Sequence, residues 1–271
     1  MQTKNFYYQS ANIFYRVTGN GKLVVLLHGF GEDGSIWDKQ IDFLQAHCRL
    51  IIPDLPGSGQ SDCIADMRIE GMCELIKEII NIELLRQPAE AEGVTVLGHS
   101  MGGYITLALA EKYPALLDGF GLIHSTAFAD NEAKKAARAK TIEFIASNGA
   151  YTFLRTAIPG LFSESWSADH QDEIDTLVEK SKQFTPAALI KYYQAMIDRP
   201  DRTAVLKNFS RAILFIIGAH DKAVPFELSL RQTPLLQLGY IHILRNSAHM
   251  GMWEETNKMN AAILAFLQRA T

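Results

Sequence analysis

Six runs of apolar or β-branched residues recur along the chain, and most are continuous rather than alternating with polar residues. The runs cover residues 23–27, 49–52, 94–97, 119–123, 212–217 and 240–244. Strands have this pattern when helices cover both faces of their sheet, because neither face meets water. Helical patterns lie between the runs, at residues 36–46, 66–86, 101–112, 227–237 and 253–269. This order predicts an α/β fold with a doubly wound, mostly parallel sheet.

The first two predicted strands have an alternating pattern instead of a continuous one. Residues 3–8 and 11–18 alternate polar and apolar positions around Gln9-Ser10. Alternation of period two is typical of a strand with one solvated face, and a short polar break between two such strands is typical of a hairpin. We therefore expect an antiparallel hairpin at one edge of the sheet.

From residue 125 to 208 the chain contains no strand candidate. Its helix-like stretches cover 130–147, 168–183 and 186–198, separated by Pro159-Gly160, Pro186 and Pro200. We interpret residues 125–208 as an inserted helical cap, or lid, and residues 1–124 and 209–271 as one core domain. A cap at the carboxyl ends of the strands would cover the place where such folds bind ligands.

Composition narrows the class of protein. The chain has 271 residues, of which 48% are hydrophobic and 21% charged, with a net charge of −4. Without a basic excess we expect no nucleic-acid partner, but a small-molecule substrate. The N-terminus lacks a signal-peptide pattern and no run reaches the ~18 apolar residues of a membrane span, so we expect a cytoplasmic protein with no membrane partner. The composition carries no signal for an oligomeric state.

Neither disulfides nor a metal site is expected. Cys48, Cys63 and Cys73 form no C-x-x-C pair and no even set. The spacing of histidines and carboxylates also offers no credible metal cluster.

Gly29, Gly31 and Gly34 form a G-x-G-x-x-G spacing directly after the run at 23–27. Asp54 follows some twenty residues later, and this combination is typical of a dinucleotide-binding turn. An NAD-dependent oxidoreductase is therefore one alternative. Glu32 and Asp33 oppose it, because carboxylates in this loop would compete with a pyrophosphate for its N–H groups.

A stronger motif follows the run at 94–97. Gly98-His99-Ser100-Met101-Gly102 is a G-x-S-x-G sequence that leads from a predicted strand into a predicted helix. In a nucleophile elbow the central residue occupies a strained turn, and glycine is needed on either side to avoid collision. The motif predicts that Ser100 is a catalytic nucleophile.

A serine nucleophile needs a base, and the base needs an anion to orient it. Asp221 comes just after the run at 212–217, and His249 comes just after the run at 240–244. Since parallel strands bring their carboxyl ends to one edge, Ser100, Asp221 and His249 are expected to meet there in the order Ser, Asp, His.

On the basis of these residues, the sequence resembles the α/β-hydrolase fold family over nearly its whole length. His28-Gly29-Phe30-Gly31 is similar to the family's H-G-x-G oxyanion loop, and the segment from Asp54 to Ser61 is similar to its D-x-P-G-x-G-x-S loop. The resemblance implies that the backbone N–H groups of Phe30 and Met101 form an oxyanion hole, and that no cofactor is needed.

Several residues compete for these roles. Asp130 is the rival acid, because some members of the family carry their acid after the earlier strand; the G-x-x-D pattern at Gly218 to Asp221 favours Asp221. We expect His99 to be structural, His28 to brace the oxyanion loop, and His220 to turn away. The substrate pocket is expected to include His124, Phe162, Trp166 and Met250.

The sequence therefore predicts a serine hydrolase of carboxylesterase type that cleaves a small ester or related acyl compound. Hydrolases of carbon–carbon bonds, thioesterases, lactonases and a menaquinone-pathway lyase share much of this pattern and remain alternatives. A ligand receptor that retains the triad is an alternative from another class.

Overall fold

The computed structural model describes residues 1–86 and 93–269, and within them eight strands form one sheet. The strands are β1 (Gln2–Tyr8), β2 (Ala11–Thr18), β3 (Leu23–Leu27), β4 (Arg49–Pro53), β5 (Val94–His99), β6 (Leu117–Ile123), β7 (Ala212–Gly218) and β8 (Gly239–Leu244). Their order across the sheet is β1-β2-β4-β3-β5-β6-β7-β8. Strands β3 to β8 pair in parallel, whereas β1 with β2 and β2 with β4 pair antiparallel. The predicted mostly parallel α/β sheet is confirmed.

Helices alternate with these strands. In the described chain they are α1 (Asp38–Leu44), α2 (Ile69–Leu84), α3 (Met101–Lys112), α4 (Glu132–Asn148), α5 (Ala150–Ala157), α6 (Glu164–Ser167), α7 (Gln171–Lys180), α8 (Pro186–Asp198), α9 (Thr203–Asn208), α10 (Phe226–Leu230), α11 (Gly251–Glu254) and α12 (Thr256–Leu267). Helix α3 packs on β5 and β6, and α12 packs on β7 and β8. Every residue of β3 and β7 is buried, as their continuous apolar sequences predict for strands covered on both faces.

The N-terminal hairpin lies at one edge of the sheet, as its alternation predicts. Tyr8 pairs with Ala11, so Gln9 and Ser10 form a two-residue turn. Both turn residues have positive φ, 50° and 81°, which is the backbone that tight hairpin turns require.

Two helices have bounds that differ from those predicted: one ends earlier, and the other begins earlier and is interrupted. The pattern at 227–237 forms α10 only as far as Leu230, and a 3₁₀ turn at Thr233–Leu235 contains Pro234, which cannot continue an α-helix. The pattern at 253–269 begins two residues earlier and is broken at Glu255, whose backbone leaves the helical region.

Between β6 and β7, the described residues of segment 125–208 form helices α4 to α9. The sequence predicts α4, α7 and α8 but misses the short helices α5, α6 and α9. Helix α4 packs against α8, and α5 contacts α4 and α7. None of the helices in the described ranges is both long and apolar enough to cross a membrane.

Candidate active site

Ser100 lies at the junction between β5 and α3, in a turn that few residue types tolerate. Its φ is 49° and its ψ is −113°, a backbone conformation that costs a non-glycine residue about 1–3 kcal/mol. A β-carbon at Gly98 would lie 2.3 Å from the carbonyl oxygen of Gly102, and one at Gly102 would lie 2.6 Å from that of Leu27. Both glycines of the motif are therefore required by the close approach of backbone around Ser100.

Asp221 and His249 lie together at the ends of β7 and β8. Nδ1 of His249 donates to Oδ2 of Asp221 at 2.7 Å, and the other carboxylate oxygen accepts the N–H groups of Ala223 and Val224 at 2.8 and 2.9 Å. Burial opposes ionisation of Asp221, but the rings of His249 and His124 hold its pKa below the usual range. Burial also disfavours a charged His249, yet the Asp221 carboxylate outweighs it and raises the pKa of His249 above its ordinary value.

A second imidazole, that of His124, lies close to the carboxylate of Asp221. Its Nδ1 lies 3.5 Å from the same Oδ2, and within the described residues neither ring nitrogen has a hydrogen-bond partner. Burial lowers the pKa of His124 to about 4, so its ring is neutral near pH 7. The ring fills space that side chains at Gly218 and Gly251 would occupy, since a β-carbon there would lie 2.9 or 2.5 Å from it.

His124, Asp221 and His249 also bring three potential metal-ligand atoms within 4.8 Å of one another. Two of these three residues, Asp221 and His249, are already joined by a hydrogen bond. Among the described residues this is the group with metal-ligand spacing, and it coincides with the candidate catalytic residues.

Glu32 and His99 form a second buried carboxylate–histidine pair beside the candidate oxyanion loop, residues 28–31. Nδ1 of His99 lies 3.0 Å from Oε2 of Glu32, which also accepts the N–H of Gly29 at 2.6 Å. Nε2 of His99 lies 3.0 Å from the carbonyl oxygen of His249. Burial opposes ionisation of Glu32, but the His99 ring holds the pKa of Glu32 below its usual range. His99 is thus a brace between the oxyanion loop and the backbone of His249.

His28 fixes the candidate oxyanion loop from its other side. Its Nδ1 lies 2.8 Å from the carbonyl oxygen of Gly29, and its Nε2 accepts the N–H of Leu55 at 2.8 Å. Phe30 follows in the loop and lines the cavity, and Met101 is the first residue of α3, so its N–H has no partner within the helix.

Two N–H groups of the glycine loop, those of Gly29 and Gly34, are already bound by carboxylates of the chain itself. Glu32 accepts the N–H of Gly29, and Asp54 accepts the N–H of Gly34 at 2.9 Å through one oxygen and that of Gln60 through the other. The glycine spacing therefore serves the geometry of the loop, which argues against the oxidoreductase alternative.

Asp130, the rival acid, lies away from His249. Its carboxylate accepts hydrogen bonds from Arg138 at 2.5 Å and from Arg199 at 2.8 Å, and it is buried. His220 is exposed and contributes only its backbone N–H, which donates to Ser247.

A cavity of about 630 Å³ lies between the carboxyl ends of the strands and helices of segment 125–208. Ser100 and His249 both line it, together with Phe30 and Met250. Most of its remaining wall is apolar, and segment 125–208 contributes side chains from α4, α5, α7 and α8. The structure thus brings Ser100, His249 and Met250 to one cavity.

Phe162 and Trp166 are not among the residues that line this cavity. Phe162 stacks on Trp166 with ring centroids 4.8 Å apart, and Trp166 stacks on His170 at 4.1 Å. His124 is likewise buried behind Asp221 rather than at the cavity wall. Three of the four predicted pocket contacts therefore receive no support from the structure, because aromatic stacking and burial hold these side chains elsewhere.

Sequence reasoning missed two features of the site. Glu32 was noted only as an obstacle to phosphate, although a carboxylate next to an oxyanion loop could have suggested a partner for His99. Lys134 lines the cavity from α4, and no motif around it indicates this.

Fold and site together define the class of protein. A family model described as the alpha/beta hydrolase fold matches residues 22–256. The chain therefore belongs to the alpha/beta hydrolase fold family and is an enzyme of the hydrolase class.

Three similar proteins illustrate the range of this class. A 2-hydroxy-6-oxononadienedioate/2-hydroxy-6-oxononatrienedioate hydrolase from Burkholderia vietnamiensis is 26% identical, covering 95% of this chain and 91% of its own. RutD of Pantoea ananatis is 24% identical to this chain, covering 95% of this chain and 94% of RutD. Its name describes it provisionally as a carbamate hydrolase. The solved structure of a thermophilic esterase from Thermogutta terrifontis, with malate bound, has a TM-score of 0.91 and 25% identity, covering 100% of this chain and 99% of the esterase.

Proposed function

We propose that this chain is a serine hydrolase that cleaves a small ester or related acyl compound through an acyl-enzyme intermediate. One observation carries the proposal: Ser100, in a strained turn, lines the same cavity as His249, whose Nδ1 is 2.7 Å from Asp221. This is the arrangement of nucleophile, base and orienting anion that acyl transfer requires.

In the first half of the reaction, Oγ of Ser100 bonds to the carbonyl carbon and its proton passes to Nε2 of His249. The ring can accept that proton because its Nδ1 already carries one, held by Asp221. The tetrahedral intermediate then expels the leaving alkoxide or phenoxide, which takes the proton from Nε2. The acyl group remains on Ser100.

Water completes the cycle by the same route. His249 takes one proton from water as the water oxygen bonds to the acyl carbon, and it returns that proton to Oγ of Ser100 as the acyl–oxygen bond breaks. The products are a carboxylic acid and free enzyme, so no oxidant, reductant or cofactor enters the balance.

Negative charge develops on the carbonyl oxygen in both tetrahedral intermediates. The N–H groups of Phe30 and Met101 are the proposed donors, and one such donor stabilises the transition state by about 2.7–4 kcal/mol. The brace formed by Glu32 and His99 supports this loop, because Glu32 holds the N–H of Gly29 directly before Phe30.

We also propose that segment 125–208 acts as a cap that selects substrates. Its helices contribute apolar side chains such as Phe153, Leu154 and Ile158 to the cavity, whereas the candidate catalytic residues come from the ends of β5, β7 and β8. On this division, changes in the cap alter the ratio of kcat/KM between substrates, whereas changes at Ser100 lower all rates together.

The proposal is tested with p-nitrophenyl esters of graded acyl length. Ser100→Ala should lose turnover of every ester while keeping the wild-type circular dichroism spectrum and thermal midpoint. Ser35→Ala, which removes another hydroxyl from the cavity wall, is the matched control and should retain at least a tenth of wild-type turnover. Wild-type turnover in Ser100→Ala would refute the nucleophile assignment.

The reaction type is distinguished by a second panel. The name of the Burkholderia vietnamiensis protein describes a dioate hydrolase, so a vinylogous diketone belongs in the panel beside a thioester and a lactone. If kcat/KM is highest for the diketone and Ser100→Ala abolishes its cleavage, the enzyme is a carbon–carbon bond hydrolase rather than an esterase.

A further inference from the structure

The cavity carries basic side chains although the chain as a whole has a net charge of −4. Lys134, Arg138, Lys180 and Lys222 all line it. Their presence is therefore a local feature rather than the result of a generally basic protein.

The three cations other than Lys134 each have a carboxylate partner or are exposed to solvent. Arg138 is neutralised by Asp130 at 2.5 Å, and Lys222 lies 3.3 Å from Glu164. Lys180 is exposed to solvent, and its Nζ lies 3.4 Å from the hydroxyl of Ser35.

Lys134 is partly buried, and its Nζ donates to the carbonyl oxygen of Ala223 at 3.0 Å. In the described part of the chain, no carboxylate lies within 4.0 Å of that Nζ. The acids of the cavity wall have other partners, since Glu32 is bound by His99 and Asp33 by Gln183 and the N–H of Ser35.

An ammonium group that is partly removed from water without a counter-ion is unfavourable, and an anion in the cavity would offset that cost. Lys134 also lowers the pKa of His249, against the effect of Asp221, so its charge is felt at the candidate base. The cavity wall also carries apolar side chains, with Phe153, Ile158 and Leu161 among them.

We propose that Lys134 binds a carboxylate of the substrate, so that the natural substrate is an anionic acyl compound with one carboxylate on an apolar body. This inference rests on the proposed hydrolase function and names the substrate class of that site. The bond is an ion-paired hydrogen bond from Nζ to a carboxylate oxygen, and an apolar body fills the remainder of the cavity.

The test compares pairs of esters in which one member carries a carboxylate and the other carries a neutral group at the same position. On the leaving-group side the pair is 4-acetoxybenzoate and 4-acetoxybenzamide, and on the acyl side it is monophenyl adipate and phenyl hexanoate. The wild-type enzyme should prefer the charged member of at least one pair. Lys134→Met should lower that preference, the ratio of the two kcat/KM values, by about ten- to a hundredfold, as expected for loss of a hydrogen bond between charged groups.

Two further variants separate binding from structure. Lys140→Met removes an exposed lysine from the same helix α4 and should leave the ratio unchanged. Lys134→Arg should restore most of the preference, because it retains the charge. If Lys134→Met instead lowers both members of each pair equally, then Lys134 only tethers α4 to the loop at Ala223 and the proposal is refuted. Equal wild-type kcat/KM values within both pairs refute it as well.

A binding experiment makes the result independent of turnover. Titration calorimetry of Ser100→Ala with both pairs should give tighter binding of the charged member of at least one pair, and the additional change Lys134→Met should remove the difference. If the wild-type enzyme cleaves none of the four esters, the esterase proposal fails, and this titration alone decides the role of Lys134. Equal affinities within both pairs would then refute it.

Discussion

Two buried carboxylate–histidine pairs lie side by side in this protein, with the rings of His99 and His249 4.8 Å apart. In the pair of Asp221 and His249 the nitrogen and oxygen are 2.7 Å apart, and in the pair of Glu32 and His99 they are 3.0 Å apart. Both carboxylates also accept backbone N–H groups, and the pKa of each lies below its usual range. The chemistry of the two contacts is therefore nearly the same.

The pairs differ at the second nitrogen of each ring. Nε2 of His99 faces the carbonyl oxygen of His249, so both nitrogens of His99 are occupied by acceptors. His249 lines the cavity together with Ser100, and its Nε2 is left for the proposed proton transfer. A histidine paired with a carboxylate thus becomes a candidate base only where its second nitrogen is unoccupied and faces a cavity.

The largest expected difference between the pairs is in turnover. His249→Asn removes the proposed base and should lower kcat by a factor on the order of 10⁶. His99→Asn removes only a brace, and a displaced loop should cost at most about 10²-fold in kcat. Steady-state ester hydrolysis by both variants measures this, and equal losses would show that the two rings do not have separate roles.

The next largest difference is expected between two carboxylates, Asp221 after β7 and Asp130 after β6. Asp221→Asn should lower kcat about 10⁴-fold, because the ring of His249 loses its orienting anion. Asp130→Asn should leave kcat near the wild-type value. It should instead lower the free energy of unfolding by about 3–5 kcal/mol, because the buried Arg199 would lose its partner. Reversed effects in kinetics and urea titrations would move the acid to Asp130.

Glu32→Gln should act mainly on stability. Loss of the buried charge beside His99 should lower the free energy of unfolding by about 3 kcal/mol at pH 7. The folded-state pKa of Glu32 is depressed, so its contribution is complete above the unfolded pKa and is lost as pH falls through the folded pKa. Urea titrations should therefore show that wild type and variant converge in acid; a difference that does not depend on pH would contradict this account.

The smallest expected effect is a shift in the pH dependence of kcat/KM. Asp221 and Glu32 raise the pKa of His249, whereas burial and Lys134 lower it; His99 and His124 are the other titratable rings beside it. Since the net shift is upward and the base acts when neutral, kcat/KM should rise with pH through a value above 6.5. Glu32→Gln should move the rise in kcat/KM to lower pH, and Lys134→Met should move it to higher pH. Shifts in the same direction would exclude electrostatic coupling of both groups to His249.

The sheet was predictable because its signals are local. Continuous apolar runs mark strands that are covered on both faces, and the glycines around Ser100 mark the turn at the end of β5. Parallel strands then bring the positions after β7 and β8 to the same edge, which is why Asp221 and His249 could be placed near each other from sequence. The short helices α5, α6 and α9 carry too few residues for a clear period.

The cavity wall was not predictable in the same way. Glu32 and His99 are 67 positions apart, so their contact depends on how the loop after β3 packs on β5. Phe162 and Trp166 are aromatic residues of the kind that often line pockets, but Phe162 stacks on Trp166 and Trp166 stacks on His170, and neither lines the cavity. Lys134 lies on α4, where most positions are exposed, and only the packing of the helices shows that it lines the cavity.

The central claim is that Ser100 is a nucleophile activated by His249, and covalent labelling tests it most directly. A fluorophosphonate loses fluoride as it bonds to an activated serine oxygen, and the mass of the intact protein counts the phosphonyl groups added. We expect one group per wild-type chain, located on Ser100 by peptide mapping, none in Ser100→Ala, and greatly slowed labelling in His249→Asn. A group on another residue, or equally fast labelling of wild type and His249→Asn, would contradict the account.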